Sequence, residues 1–341
     1  MTENLTDIVK SVENVASSID FSGVVLVTND SNAMYQSAFG FANRSDKVRN
    51  DVFTKFGIAS GCKLFTAIGI GLLVERGNLS FDTKLSECLN HEFKHFDNNI
   101  TIHQLLTHSS GIPDYFDEEV MDNFEELWNE KSMYLLKNLS DFLPMFENNQ
   151  MKFKPGERFH YNNAGYILLG LIIEQQTGTT FQSFVEKEIF KKCSMKDSGY
   201  YALDKLPINT AVGYIDNEET REWRTNIYSI PVIGGADGGA FITAPDMVNF
   251  WNSLLNYKIV SEEITKILLT PHIHVEEEDF YGYGMWISKK NQQILKYHIM
   301  GYDPGVSFHS AYYPSNKTIT VITSNETTGA HDISKTIEEI I

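Results

Sequence analysis

Phe56-Gly57-Ile58-Ala59-Ser60-Gly61-Cys62-Lys63 decides how this chain is read: a short apolar, strand-like stretch passes here into a long apolar helix, with a serine and a lysine three residues apart at the junction. Residues three apart on a helix share a face, so the lysine amine comes within reach of the serine hydroxyl. A serine hydroxyl is a weak nucleophile at neutral pH and needs a base beside it. Burial and neighbouring positive charge favour the neutral form of a lysine, so Lys63 can serve Ser60 as base or proton relay.

Ser-x-x-Lys alone is weak, since roughly one such match is expected by chance in a chain of this length. A second motif strengthens it. Tyr161-Asn162-Asn163 follows Lys154-Pro155-Gly156-Glu157-Arg158-Phe159-His160 and precedes the apolar run 164–173. A phenol held near a lysine can form a phenolate that takes the serine proton. An asparagine amide can hold both the lysine and a substrate carbonyl.

On these residues the chain resembles the serine β-lactamases of class C, with the related penicillin-binding proteins and esterases. The likeness spans nearly the whole sequence. It takes in Leu105-Leu106-Thr107-His108-Ser109-Ser110-Gly111-Ile112-Pro113-Asp114-Tyr115, the Pro155-Gly156 turn, and Gly234-Gly235-Ala236-Asp237-Gly238-Gly239-Ala240-Phe241-Ile242-Thr243-Ala244-Pro245-Asp246. The resemblance implies a serine hydrolase in which Ser60 is acylated, Lys63 and Tyr161 share the proton transfers, and Asn163 holds the substrate amide. Which of Lys63 and Tyr161 is the base stays open. The substrate would be a small molecule or short peptide carrying an amide, ester or β-lactam carbonyl, and no metal or organic cofactor is needed.

A third element departs from the pattern. Relatives carry Lys-Thr-Gly or His-x-Gly on a strand lining the site, whereas here the stretch is Tyr297-His298-Ile299-Met300-Gly301-Tyr302-Asp303-Pro304-Gly305. His298 stands one residue too far from Gly301. A one-residue shift on a strand turns a side chain to the opposite face, so His298 reaches the site only through a bulge. Otherwise Ile299 occupies the basic position, and a hold on a substrate carboxylate is lost. His298, Gly301 and Tyr302 join Asn163 as the expected substrate-binding residues. The backbone N–H groups of Ser60 and of the strand just after Gly301 are the oxyanion-hole candidates.

The 341 residues, 42% hydrophobic and 12% aromatic, can fill a substantial core. A formal net charge of −17 without an offsetting Lys/Arg patch argues against nucleic acid or anionic membranes as partners. The amino end is polar and acidic, with no basic leader and apolar core, so the expected location is the cytoplasm. No apolar run reaches the roughly 20 residues that span a bilayer. Cys62, Cys88 and Cys193 lack paired spacing, as suits a reducing compartment, and Cys62 reads as a small packing residue.

Periodicity places an amphipathic helix over 5–19, with Val9, Val12, Val15 and Ala16 on one stripe, and strands over 21–27 and 33–41 around a turn at Asn29-Asp30-Ser31-Asn32. The motif helix runs over 60–76 and stops at Gly77. Strands follow over 306–312 and 318–323, and a closing helix over 333–341. The expected fold is α/β of the α+β type: a central antiparallel sheet built from both termini (1–76 and 202–341), flanked by helices, with an inserted mainly helical lobe (77–201). The motifs then converge on the cleft between sheet and lobe.

Two other function classes compete. His91-Glu92-Phe93-Lys94-His95 matches His-Glu-x-x-His, which on a helix binds zinc, but its surroundings read as a helix end and loop. A noncatalytic module that binds a peptide or peptidoglycan fragment draws support from the altered strand at His298 alone. The intact Ser60, Lys63, Tyr161 and Asn163 set speaks against both. The glycine-rich run 234–239 lacks the phosphate-loop spacing and reads as a tight backbone passage beside the site. Tyr281 and Tyr283 lie in an aromatic segment that reads as packed on the sheet, and nothing in the sequence supports a substrate contact from either.

Overall fold

Both ends of the chain feed one antiparallel sheet. The computed structural model describes residues 2–30, 32–217 and 219–341. Within it, strands β1 (Gly23–Asn29) and β2 (Asn32–Phe39) come from the amino-terminal part. Strands β3 (Ile273–Glu276), β4 (Asp279–Tyr281), β5 (Trp286–Lys290), β6 (Gln293–Asp303), β7 (Val306–Tyr313) and β8 (Thr318–Ser324) come from the other end. Their order is β2-β1-β8-β7-β6-β5-β4-β3. Ser31, inside the expected turn, lies outside the described residues. The main helices are α1 (Thr2–Ser18), α2 (Lys63–Glu75), α3 (Asn163–Thr177), α4 (Ala244–Leu255) and α5 (Ala330–Glu338).

β1 is a continuous apolar run because both of its faces are covered. Val25 and Val27 pack with Ile8 and Val12 of α1 and with Ile333 and Ile337 of α5, while Val24 and Leu26 point into the larger core on the other face. The buried stripe of α1 is Ile8, Val12 and Ala16, a strict four-residue repeat, with Val9 and Val15 at its edges. The larger core runs unbroken from the sheet through α2 and α3 to Phe181 and Phe190, so the sheet and the inserted segment share it. α4 seals the same face, where Trp251 Nε1 donates to Ser310 Oγ at 2.9 Å.

The inserted segment is less helical than expected. Besides α3, its α-helix is confined to Leu85–Cys88, Ile102–Leu106 and Phe181–Val185, joined by 3-10 turns and loops. Aromatic side chains fill that space from irregular backbone, as in the edge-to-face contact of Phe116 and Phe124 with ring centroids 4.9 Å apart. No helix among the described residues is long and apolar enough to cross a membrane.

Candidate active site

Ser60 is delivered by a strained turn. Phe56–Gly57 pairs with Phe241–Ile242, Ala59 adopts φ +43, and a 3-10 turn over Ala59–Cys62 leads into α2. A left-handed alanine costs on the order of 1–3 kcal/mol, a strain that recurs where a nucleophile must be presented at a sharp bend. Ala59 is held there by its own carbonyl, which accepts from Gly239 N at 3.2 Å. The glycine run supplies that contact: Gly235 N donates to Gly238 O, and a Cβ on Gly234 would lie 2.3 Å from Gly239 O.

Lys63, at the first turn of α2, is 1% exposed. Its Nζ lies 2.9 Å from Ser60 Oγ, 2.8 Å from Asn163 Oδ1 and 2.7 Å from the backbone oxygen of Asp237. The first two partners were legible in the sequence. Asp237 was not, because its contribution is a carbonyl that any residue could offer.

Tyr161 and Asn163 arrive together at the start of α3. Asn162 caps that helix, its side chain accepting from Gly165 N at 2.7 Å, and Asp114 accepts from Asn163 N at 2.6 Å and Ala164 N at 2.9 Å. Burial pushes the Asp114 carboxyl up to about 7 despite these donors. His108 lies under the Tyr161 ring at 4.4 Å and accepts from Asn162 N through Nδ1 at 3.0 Å; burial and Lys63 hold it neutral, with its pKa well below the usual range. Tyr161 hydrogen-bonds toward Ser60, and its ring centroid is 4.9 Å from Lys63 Nζ. Burial, followed by Glu118, raises its pKa well above the ordinary phenol value, which disfavours the phenolate considered from sequence.

Gly301 faces Ser60 at backbone contact. A Cβ there would lie 2.1 Å from Ile58 O and 2.8 Å from Ser60 N. We expect Gly301→Ala to push the strand off the nucleophile turn, lowering stability by about 1–3 kcal/mol and acylation with it. Thermal melts together with ester hydrolysis check this; an alanine variant with unchanged melting and rate would mean that the contact is looser than described.

His298 does not join the site. The ladder from Tyr297 to Asp303 pairs with β7 without interruption, and the irregularity between β5 and β6 falls at Ser288/Lys289, so no bulge restores its register. The side chain points to the opposite face, 3.2 Å from Ser288 Oγ and with its ring 5.3 Å from His309, which is bonded to Ser334 of α5. Tyr302 shares that strand face by alternation, is 43% exposed and also borders the cavity in front of Ser60. The expected side-chain role of His298 is therefore corrected. His298→Gln is expected to lower the melting temperature while kcat/KM is retained; loss of activity in a fully folded variant would restore His298 to the site.

Tyr281 and Tyr283, 1% and 2% exposed, are core residues and do not line the cavity in front of Ser60. Burial pushes the Cys62 thiol up to about 12, as befits a packing residue. His91 to His95 lie in irregular chain with His91 paired to Glu147, so the zinc pattern lacks its helix. Asp117, Glu119 and His160 come close together, but Lys152 bonds Asp117 and Arg158 pairs with Glu119. That network ties the loop before Tyr161 to the loop after Asp114.

In front of Ser60 opens a cavity of about 870 Å³, walled by the 115–124 loop, the 201–233 segment and the end of β6. Solved structures with the same architecture include a penicillin binding protein from Bacillus halodurans, 51% identical with a TM-score of 0.93 over 97% of this chain and 100% of that chain. An octameric penicillin-binding protein homologue from Pyrococcus abyssi is 26% identical, with a TM-score of 0.83 over 97% of this chain and 75% of that one. Penicillin-binding protein 4* of Bacillus subtilis (strain 168) is 28% identical over 330 residues, 92% of this chain and 70% of its own length. The family model described as Beta-lactamase matches residues 12–340, nearly the full length that carries the sheet, the nucleophile turn and the α3 motif, and the chain belongs to that family.

Proposed function

We propose that this serine hydrolase forms its acyl-enzyme on Ser60, with Lys63 as base and Tyr161 as acid toward the leaving group. The observation that carries the assignment is the set of partners around Lys63. Asn163 Oδ1 and Asp237 O can only accept, and Ser60 Oγ is the third partner at 2.9 Å, so when the amine gives up one proton it still donates to both carbonyl oxygens and turns its lone pair to Ser60. Ser60 Oγ bonds to the substrate carbonyl carbon as its proton passes to Lys63. The oxyanion is held by the backbone N–H of Ser60 and that of Tyr302. When the intermediate collapses, the departing amine or alkoxide takes the Tyr161 proton, and Lys63 returns one to Tyr161. Water then attacks the acyl carbonyl as Lys63 takes its proton, and Lys63 passes that proton to Ser60 Oγ as the ester bond breaks, which releases the acid and restores both groups.

Intact-mass spectrometry after incubation with a fluorophosphonate, a p-nitrophenyl ester and a fluorescent penicillin tests the assignment. One fluorophosphonate adduct is expected, on the peptide that contains Ser60. An adduct on another serine would reject the nucleophile. Labelling by penicillin as well would extend the substrate range to β-lactams, and no adduct with any probe would favour a noncatalytic binding module.

A further inference from the structure

The cavity in front of Ser60 has walls of one charge. Among the described residues Glu118, Asp122, Asp237 and Asp303 face it and no Lys, Arg or His does; Lys63 lies beneath Ser60. Asp237 accepts a hydrogen bond from the Tyr115 hydroxyl, and Glu118 adjoins the Asn163 amide. Asp303 differs. It stands two residues beyond Gly301 on the same face of β6, about 7 Å further along the strand. Its residue is partly exposed where it lines the cavity, no hydrogen bond to its carboxyl is made among the described residues, and its electrostatic neighbours are Asp237, Lys63 and Glu118. A carboxylate that lines a cavity without a donor from the protein is left to water or to a donor that a ligand brings. On the other side of Gly301 the same face carries Ile299, 2% exposed, so a substrate anion finds no cationic partner there.

We propose that Asp303 is the specificity-determining carboxylate of this site and that the preferred substrate carries an ammonium on its acyl part, as an amino-acid ester or amide with a free amino group does. This rests on Ser60 being the nucleophile. A strand step of about 7 Å from Gly301, which touches Ser60 N, suits an amino group a few bonds from the scissile carbonyl. A substrate carboxylate in the same place would meet four acidic side chains, which is strongly unfavourable in an enclosed cavity.

The pH dependence follows from the same groups. Burial first, then the Asp237 carboxylate, push Asp303 up to about 7; Lys63 opposes this, Glu118 adds to it, and Tyr115 also faces it. The ionised form binds the cation, so the preference for an ammonium should grow as pH rises through about 7 and fade above about 8, where an α-amino group loses its proton.

The test uses p-nitrophenyl esters of alanine, N-acetylalanine and N-succinylalanine, in both enantiomers, with wild type and Asp303→Asn. In wild type the expected order of kcat/KM is free amine, then acetyl, then succinyl, with the first step about tenfold or more. In Asp303→Asn the ratio of free amine to acetyl should fall toward one. A wild type that prefers the acetyl or succinyl ester overturns the proposal, as does a ratio that survives in the variant. Fluorophosphonate titration of Ser60 normalises each protein to its folded fraction, and Asp303→Ala, which also removes the charge, stands in if the asparagine variant does not fold. Failure of that labelling in wild type would count against Ser60 itself, whereas labelling without an ammonium preference would count against Asp303 alone.

Discussion

Ser60→Ala is expected to cut hydrolysis of a p-nitrophenyl ester at least about a thousandfold and to abolish fluorophosphonate labelling. Only the attacking oxygen is lost. Lys63 keeps its partners at Asn163 and Asp237, and the backbone turn that shapes the oxyanion hole is held by Gly239 and by contact with Gly301. The melting temperature should move little, since one hydrogen bond at the cavity floor contributes on the order of 1 kcal/mol. Undiminished turnover in a folded alanine variant would end the acyl-enzyme mechanism on this serine.

Lys63 and Tyr161 carry the second large effect, and their variants separate the two proton roles. Lys63→Ala is expected to lose at least about a hundredfold in kcat. It also leaves two buried carbonyl oxygens without a donor, at a cost of roughly 1–3 kcal/mol each. Lys63→Arg keeps the charge but cannot give up its proton, so it should be as inactive as the alanine variant. An arginine variant with near wild-type rates would reduce Lys63 to an electrostatic support. Tyr161→Phe should lose at least about a hundredfold on an alkyl amide and much less on a p-nitrophenyl ester, because p-nitrophenolate departs without a proton. Equal losses on both substrates would assign Tyr161 to the attack step in place of leaving-group departure.

Much of this site is legible because its residues are set by short-range pattern. Ser60 and Lys63 share a face through their spacing alone, and Tyr161 and Asn163 are fixed by the capped start of one apolar helix. The strands from both ends announce themselves through apolar and β-branched runs, and α1 and α5 through their stripes. The inserted segment was less legible: its aromatic content signals burial, but Phe116, Phe124 and Trp128 pack from turns as well as they would from helices. His298 shows the same limit at the level of one residue. Its identity suggested a site role, and the absence of a bulge, which sequence could neither require nor exclude, decided its face.

The sequence by itself determined the candidate reacting groups, the antiparallel sheet fed by both ends and the acidic net charge, because residue type and spacing encode those directly. Only the tertiary structure decided what surrounds the reacting groups. The carbonyl that holds Lys63 comes from Asp237, 174 residues away, and every residue has a carbonyl, so no side-chain pattern marks the one that is used. Asp303 likewise stands unmatched in the cavity only because the register of β6 turns it, with Gly301, toward Ser60 and turns His298 away. Period-two alternation converts a single step of register into a change of face, and that step is settled by how the strands pair.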